Sequence, residues 1–301
     1  MADRKELLLI MNPKAGTMLA PKHLAEIING FSGAGYLTKV LMTTGHGDAR
    51  QFAAEYGGDV DTVVVSGGDG TLNEAIDGLI SGGHKTKLGY IPAGSTNDFA
   101  NSIGLPKGIN ECVDTIIKGN AKPVDIGSFN GRYFSYVASF GAFTSVTYSV
   151  PQNIKNIFGH TAYVMSGVTE LANLKSVYAR ITADKGTENE KVLEGKYLIG
   201  AVCNSKSIGG ILRLDKLDVD MNDGLMEVMM VKMPRDILDL SDIATSMLSG
   251  NFNSHQIETL SAHEVTVEIE SGVHWTLDGE YEEGAELCEI KTIQSAVQLI
   301  R

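Results

Sequence analysis

The chain has 301 residues, 43% hydrophobic and 21% charged, a length that favours two domains of roughly 150 residues each and a composition that excludes disorder over most of it. With 25 Lys and Arg against 37 Asp and Glu, the formal net charge is −12, so the basic footprint of a nucleic-acid binder is missing. Glycine is enriched, 34 residues against 7 prolines, which points to many backbone positions that need positive φ or close approach.

The first third alternates strand and helix grammar. Leu7 to Met11 reads as a buried strand, Leu24 to Ile28 lies in a helical stretch, and Thr38 to Met42 reads as a second strand. Asp48 to Tyr56 follows as a helix and Thr62 to Val65 as a β-branched strand. Apolar residues at 72, 75, 76, 79 and 80 then predict an amphipathic helix, before a strand at Leu88 to Ile91 and a helix at Ile109 to Ile117. Repeated strand and helix imply a parallel sheet covered on both faces.

The pattern changes near residue 125. Asn130-Gly131 suits a two-residue hairpin turn, and strands are expected at 177–182, 192–202, 225–231, 264–269 and 275–277, with helices at 162–174 and 236–247. The expected architecture is an α/β N-terminal domain, residues 1–124, and a β-rich domain, residues 125–301. No apolar run approaches the ~18 residues of a membrane span, and Leu7 to Met11 is too short for a signal segment. A cytoplasmic protein is the expectation. Cys112, Cys203 and Cys288 fit neither a disulfide framework nor a zinc site and read as inert thiols, and the histidines show no zinc spacing.

Val63 to Val65 run into Ser66-Gly67-Gly68-Asp69-Gly70-Thr71 and then the amphipathic helix. Strand, glycine turn and helix make a phosphate seat, since glycines let N–H groups approach an anion and the helix start adds oriented donors. Asp69 would repel phosphate unless a cation such as magnesium lies between, although an Asp there also suits a helix cap. A second loop, Ile91 to Ala100, offers Gly94 and Ser95 to phosphate and places Asn97 and Asp98 where a helix is capped. In a parallel sheet both loops face one crevice, together with Lys14 after the first strand and Thr43 after the second. In the second half, Asp215, Asp218, Asp220 and Asp223 with Gly224 suit a hard cation or a solvated loop. Leu277-Asp278-Gly279-Glu280 is either a surface turn or, facing a crevice, a source of general base. Met221, Met226, Met229, Met230 and Met233 read as strand packing, with the lining of an acyl-chain pocket as the alternative.

Asn12 to Gly16, Gly67 to Glu74, Ile91 to Phe99, Val124 to Gly127, Asn222 to Leu225 and Leu277 to Glu280, in that order, resemble the bacterial lipid kinases of the diacylglycerol kinase catalytic-domain family, relatives of the sphingosine kinases. The resemblance implies an ATP-binding α/β domain, a C-terminal β-sandwich, an active site between them and a final strand, about 290–301, returning to the first domain. It implies ATP contacts at Asn12, Lys14, Thr43, Gly67, Gly68, Asp69, Gly70, Thr71, Leu72, Asn73, Glu74, Gly94 and Ser95. It implies an acidic magnesium and water network of Asp69, Asp98 and Asp125, a catalytic base at Asp278, with Glu280 as the alternative, and a structural magnesium on Asp220, Asp223 and the Leu225 carbonyl. The implied acceptor is the hydroxyl of diacylglycerol or a related lipid, met by transient peripheral contact at a membrane surface, and a homodimer stays open. Ser95 stands where some relatives have Thr, which keeps the hydroxyl. A NAD kinase and a nucleotide-binding regulator without turnover are the other readings, the first disfavoured by Gly94 to Phe99.

Overall fold

The computed structural model describes residues 4–16, 20–141, 174–205, 207–208, 212–213, 220–252 and 254–301. The helix expected at 162–174 lies outside them apart from its last residue, as do Asp215 and Asp218. The chain forms two compact units, Met1–Ile126 with Ile293–Arg301, and Gly127–Thr292.

In the first unit, β1 (Lys5–Met11), β2 (Tyr36–Met42), β3 (Thr62–Gly67) and β4 (Lys87–Pro92) are parallel, in the order β4-β3-β1-β2. Leu7 sits beside both Thr38 and Thr62. The aliphatic runs of β1 and β3 are fully buried, as strands covered on both faces must be. Five helices flank these strands: α1 (Leu24–Gly33), α2 (Asp48–Tyr56), α3 (Asp69–Ser81), α4 (Asp98–Ser102) and α5 (Ile109–Lys118). Leu7, Leu9, Val64 and Ile91 pack with Phe31 of α1 and Val113 of α5. The alternate residues Leu8, Ile10, Val63 and Val65 point to the opposite face and are buried as well.

The second unit begins within β5 (Ala121–Phe129) and continues through β6 (Arg132–Phe134), β7 (Val137–Gly141), β8 (Val177–Ala183) and β9 (Lys191–Cys203). A two-residue pair, β10 (Ser207–Ile208) and β11 (Leu212–Arg213), precedes β12 (Met226–Lys232) and α6 (Ile237–Ser249). The strands β13 (Ile257–Ala262), β14 (Glu264–Ile269), β15 (Trp275–Leu277), β16 (Glu280–Glu282) and β17 (Leu287–Ile300) complete the chain. Pairing in this unit is antiparallel. Asn130 and Gly131 have φ of 48° and 90° and join the paired residues Phe129 and Arg132, so the dipeptide makes the two-residue hairpin its chemistry predicts. Trp275 anchors the core, with the rings of Phe129 and Phe140 each 4.8 Å from its own. Met221, Met226, Met229 and Met230 are buried, and Met226 and Met230 belong to the Trp275 core.

The last strand serves both units in turn. Up to Thr292 it lies antiparallel to β14, with Lys291 opposite Glu264. From Ile293 it belongs to the first unit, where Gln298 and Leu299 lie parallel to Lys87 and Leu88 of β4. Ser295, with φ of 50°, kinks it there, and the kink is held by fully buried Asp125, whose Oδ1 accepts the Ser295 N–H at 2.7 Å.

Helix α3 meets α2 at Gly78, where an added Cβ would lie 2.2 Å from the Arg50 carbonyl oxygen. Helix propensity alone favours alanine over glycine by about 1 kcal/mol. The backbone collision outweighs that gain, because overpacking typically costs about 1–3 kcal/mol. Gly78→Ala is expected to lower the urea midpoint of unfolding by a net destabilisation of that size, and an unchanged or raised midpoint would contradict the close α2–α3 approach.

Candidate active site

The carboxyl ends of β1 to β4 deliver four loops to one edge of the first unit. After β1, Asn12 shapes its own turn: its Oδ1 accepts the Lys14 N–H at 2.9 Å, and its Nδ2 donates to Thr71 Oγ1 at 3.0 Å. Lys14 is exposed. After β2, buried Thr43 donates its N–H to the Met11 carbonyl at 2.9 Å. After β3, Gly68 caps α3, and the Leu72 N–H closes the first turn onto the Gly68 carbonyl. The Leu72 side chain is core and Asn73 is buried.

The two glycine loops touch backbone to backbone. A Cβ on Gly94 would lie 2.7 Å from Gly68 Cα and 2.8 Å from Asn97 Oδ1, so Gly94 is required by close approach. Asn97 closes the second loop by accepting the Gly94 N–H at 2.8 Å and donating Nδ2 to the Gly94 carbonyl at 2.9 Å. It therefore supplies no side-chain cap to α4, contrary to its place in the sequence. Ser95, at the loop's tip, is exposed.

The cap of α4 comes from Asp69. Its carboxylate accepts the N–H groups of Asp98 at 3.0 Å and Phe99 at 3.3 Å. Burial raises the Asp69 pKa, opposed by these main-chain bonds, which lower it. Glu74, one turn on, does the same for α2: its oxygens accept the N–H groups of Gly47 at 2.9 Å and Ala49 at 3.2 Å. Both of its oxygens are thus engaged by main-chain amides at the start of α2. Two helix starts at this edge are closed by carboxylates from α3, whereas α3 itself begins on a glycine that brings no side chain. The amides of Asp69, Gly70 and Thr71 have no partner within their own helix, and they face the edge where an anion is favoured. Asp98 and Asp125 are buried carboxylates of the same unit.

In the second unit Asp278 and Gly279, with φ of 52° and 84°, form the two-residue turn joining Leu277 of β15 to Glu280 of β16. The buried Asp278 carboxylate accepts three consecutive N–H groups, Ser135 at 2.5 Å, Tyr136 at 2.9 Å and Val137 at 3.0 Å. Glu280 is half-buried and pairs with Arg132 Nη2 at 2.7 Å, and Arg132 also binds Glu282. Asp220 and Asp223, both exposed, each turn one oxygen onto the loop's own backbone, at Asn222 N (3.2 Å) and Leu225 N (2.9 Å). Gly224 follows Asp223 with φ of 81°, and its carbonyl accepts from His263 Nδ1 at 2.7 Å. The donors are hard oxygens, which suits magnesium or calcium. Among the described residues no three His, Cys, Asp or Glu gather closely enough to hold a metal by side chains alone, so an ion here would also need carbonyls and water.

Sequence reasoning passed over Glu227, Arg132 and Tyr90. Glu227 is buried in β12, and burial first and the charge of Asp223 second push its carboxyl up to about 7. A lone acid in the apolar run Met226 to Val231 was its visible signal.

Residues 6–129 match the family model of the diacylglycerol kinase catalytic domain, and residues 137–301 that of the YegS C-terminal NAD kinase beta sandwich-like domain. The chain is 36% identical over 280 residues to a diacylglycerol kinase of Bacillus subtilis (strain 168), covering 92% of this chain and 90% of the relative. It is 32% identical to one of Staphylococcus saprophyticus over the same shares. A crystal structure of a diacylglycerol kinase from Bacillus anthracis str. Sterne superposes with a TM-score of 0.76 at 26% identity, covering 100% of this chain and 98% of that one.

Removing the Asp278 carboxylate strands three main-chain donors, at about 1–3 kcal/mol for a buried unsatisfied group. Asp278→Ala is therefore expected to lower the denaturation midpoint sharply whether or not substrate is present, as measured by circular dichroism. Glu227 titrates in the opposite sense from a paired acid. Its folded pKa stands above the ordinary 4.5, so its contribution is fully present below that value and lost as pH rises through about 7. In magnesium-free buffer Glu227→Gln should melt higher than the parent at pH 8.5, by on the order of 5 °C, and no higher at pH 4.5. Parallel melting curves at both pH values would disprove the buried titration.

Proposed function

The chain belongs to the diacylglycerol kinase catalytic-domain family, and on that premise we propose that it is an ATP- and magnesium-dependent lipid kinase, moving the γ-phosphoryl group of ATP to a hydroxyl of diacylglycerol or a related lipid. The observation that carries the reading is the unequal treatment of the helix starts. Glu74 and Asp69 close α2 and α4, and the start of α3 is left to an anion.

The amides of Asp69, Gly70 and Thr71 seat the phosphates, and Asn12 keeps the Thr71 hydroxyl in place beside them. Lys14 supplies an exposed cation, and the hydroxyls of Thr43 and Ser95 supply further donors. Magnesium, when bound with ATP, screens the charge that accumulates on the phosphoryl oxygens. Asp98 and Asp125 are the acids of this unit to orient its water, and Asp69 does so from a carboxylate already fixed by α4. Asp69 fits that role: it is a hard donor next to Gly68, whose Cα stands 2.7 Å from where a Cβ on Gly94 would lie, and it accepts the Asp98 N–H. A carboxylate of the second unit takes the hydroxyl proton. The bonds that occupy Asp278 favour Glu280 for that step, with Asp278 fixing the hairpin that carries it. Asp220, Asp223 and the Leu225 carbonyl, with water, would hold a second magnesium, which would tie their loop together.

Among the described residues no helix is long and apolar enough to cross a membrane, and the proposed lipid is met by transient peripheral contact from the cytoplasm. Radiolabelled ATP offered with magnesium, a panel of dioleoylglycerol, ceramide and sphingosine in mixed micelles, and NAD in a parallel tube tests the reading. Label should enter a lipid of the panel and disappear with EDTA. Label in NAD alone, or in no acceptor, overturns it.

A further inference from the structure

A buried strand of a parallel sheet is usually aliphatic throughout, and β4 breaks that rule with Tyr90, 1% exposed. A buried phenol needs a partner for its hydroxyl. Tyr90 Oη donates to the Gly67 carbonyl at 3.2 Å, directly below the first glycine loop. The Gly67 carbonyl also accepts the Ala93 N–H at 2.7 Å, at the root of the second glycine loop.

The Gly67 carbonyl therefore gathers the Tyr90 hydroxyl and the root of the second glycine loop at one point, and Asp69, two residues on, holds the start of α4. We propose that Tyr90 is a positioning residue for the nucleotide: from beneath the loop its hydroxyl fixes the turn that presents the α3 amides, and with it the carboxylate that links the two glycine loops. It touches no substrate and acts through Gly67 and Asp69. The inference rests on the kinase reading for the identity of the anion, and on the geometry of the first unit alone for the role of the hydroxyl. Preorganised donors of this kind lose effect when their support loosens, even with every donor still present.

Tyr90→Phe removes only the oxygen and keeps the ring in the core. Tyr197→Phe is the control, because Tyr197 is also buried and its hydroxyl bonds Glu258 at 3.0 Å in the second unit, remote in sequence from the loops. Three quantities are read for each: melting temperature, KM for ATP against kcat at saturating dioleoylglycerol, and hydrogen exchange of segments 67–73 and 97–100 in the nucleotide-free protein. Tyr90→Phe should raise KM for ATP by roughly 5- to 30-fold, the worth of one buried hydrogen bond, and should speed exchange in both segments. Tyr197→Phe should change neither. Equal exchange in parent and Tyr90→Phe, or an equal KM effect in Tyr197→Phe, overturns the proposal. A parent that neither binds ATP nor phosphorylates lipid overturns the kinase reading, and the exchange of 67–73 and 97–100 then decides the role of Tyr90 by itself.

Discussion

The first unit is organised by the need to satisfy main-chain amides at the starts of helices. A parallel sheet brings those starts to one edge, where each presents donors that its own helix cannot use. Helix α3 resolves the problem for its neighbours by carrying two carboxylates one turn apart, Asp69 and Glu74, each directed to another helix. The outcome is a rim in which, of α2, α3 and α4, the starts of α2 and α4 are closed by carboxylates and that of α3, on Gly68, receives no side-chain cap. Backbone contact of Gly68 with Gly94 and the Asn12–Thr71 bond tie the remaining loops to that rim. A site built this way positions an anion with main-chain atoms, whose places are set by the fold and not by side-chain rotamers.

The same physics recurs where acidic residues meet irregular backbone. Asp278 gathers the three successive amides of Ser135, Tyr136 and Val137, beside the fully buried Trp275 and Leu277. Asp125 takes the amide of Ser295 at the kink of β17. An acid in a glycine-rich motif thus admits two readings, metal chemistry and amide satisfaction, and the oxygens already engaged tell how much of each carboxylate remains for the first. By that measure Glu280, held from the side by Arg132, is differently employed from Asp278 two residues earlier.

Much of this was legible in the sequence. The helical period at 72 to 80 and the aliphatic run at Leu7 to Met11 reported α3 and β1 because burial on a fixed face writes a period into the chain. Asn130-Gly131 reported its hairpin, whereas Asp278-Gly279, with the same left-handed backbone, left a turn and a general base both open because it sits in a carboxylate-rich motif. The strand β13 escaped notice: Ile257–Ala262 mixes polar and apolar residues, and only His263 separates it from β14, with no Gly or Pro to mark the join. The destinations of Asp69 and Glu74 were out of reach for another reason. A capping residue announces its chemistry in the sequence, but which helix it caps depends on tertiary neighbours about 25 to 30 residues away.

The shared last strand bears on how the protein is made. The first unit needs residues 293–301 to place its edge against β4, so a ribosome that has released the first 126 residues has supplied a sheet with one strand still to come. Completion of that unit waits for residues 293–301, and the whole of the second unit emerges in the interval. A nascent chain would expose the outer edge of β4 during this time, a surface of unpaired N–H and C=O groups open to misassociation. A deletion within residues 293–301 acts on the first unit, however far along the chain those residues are from Gly68.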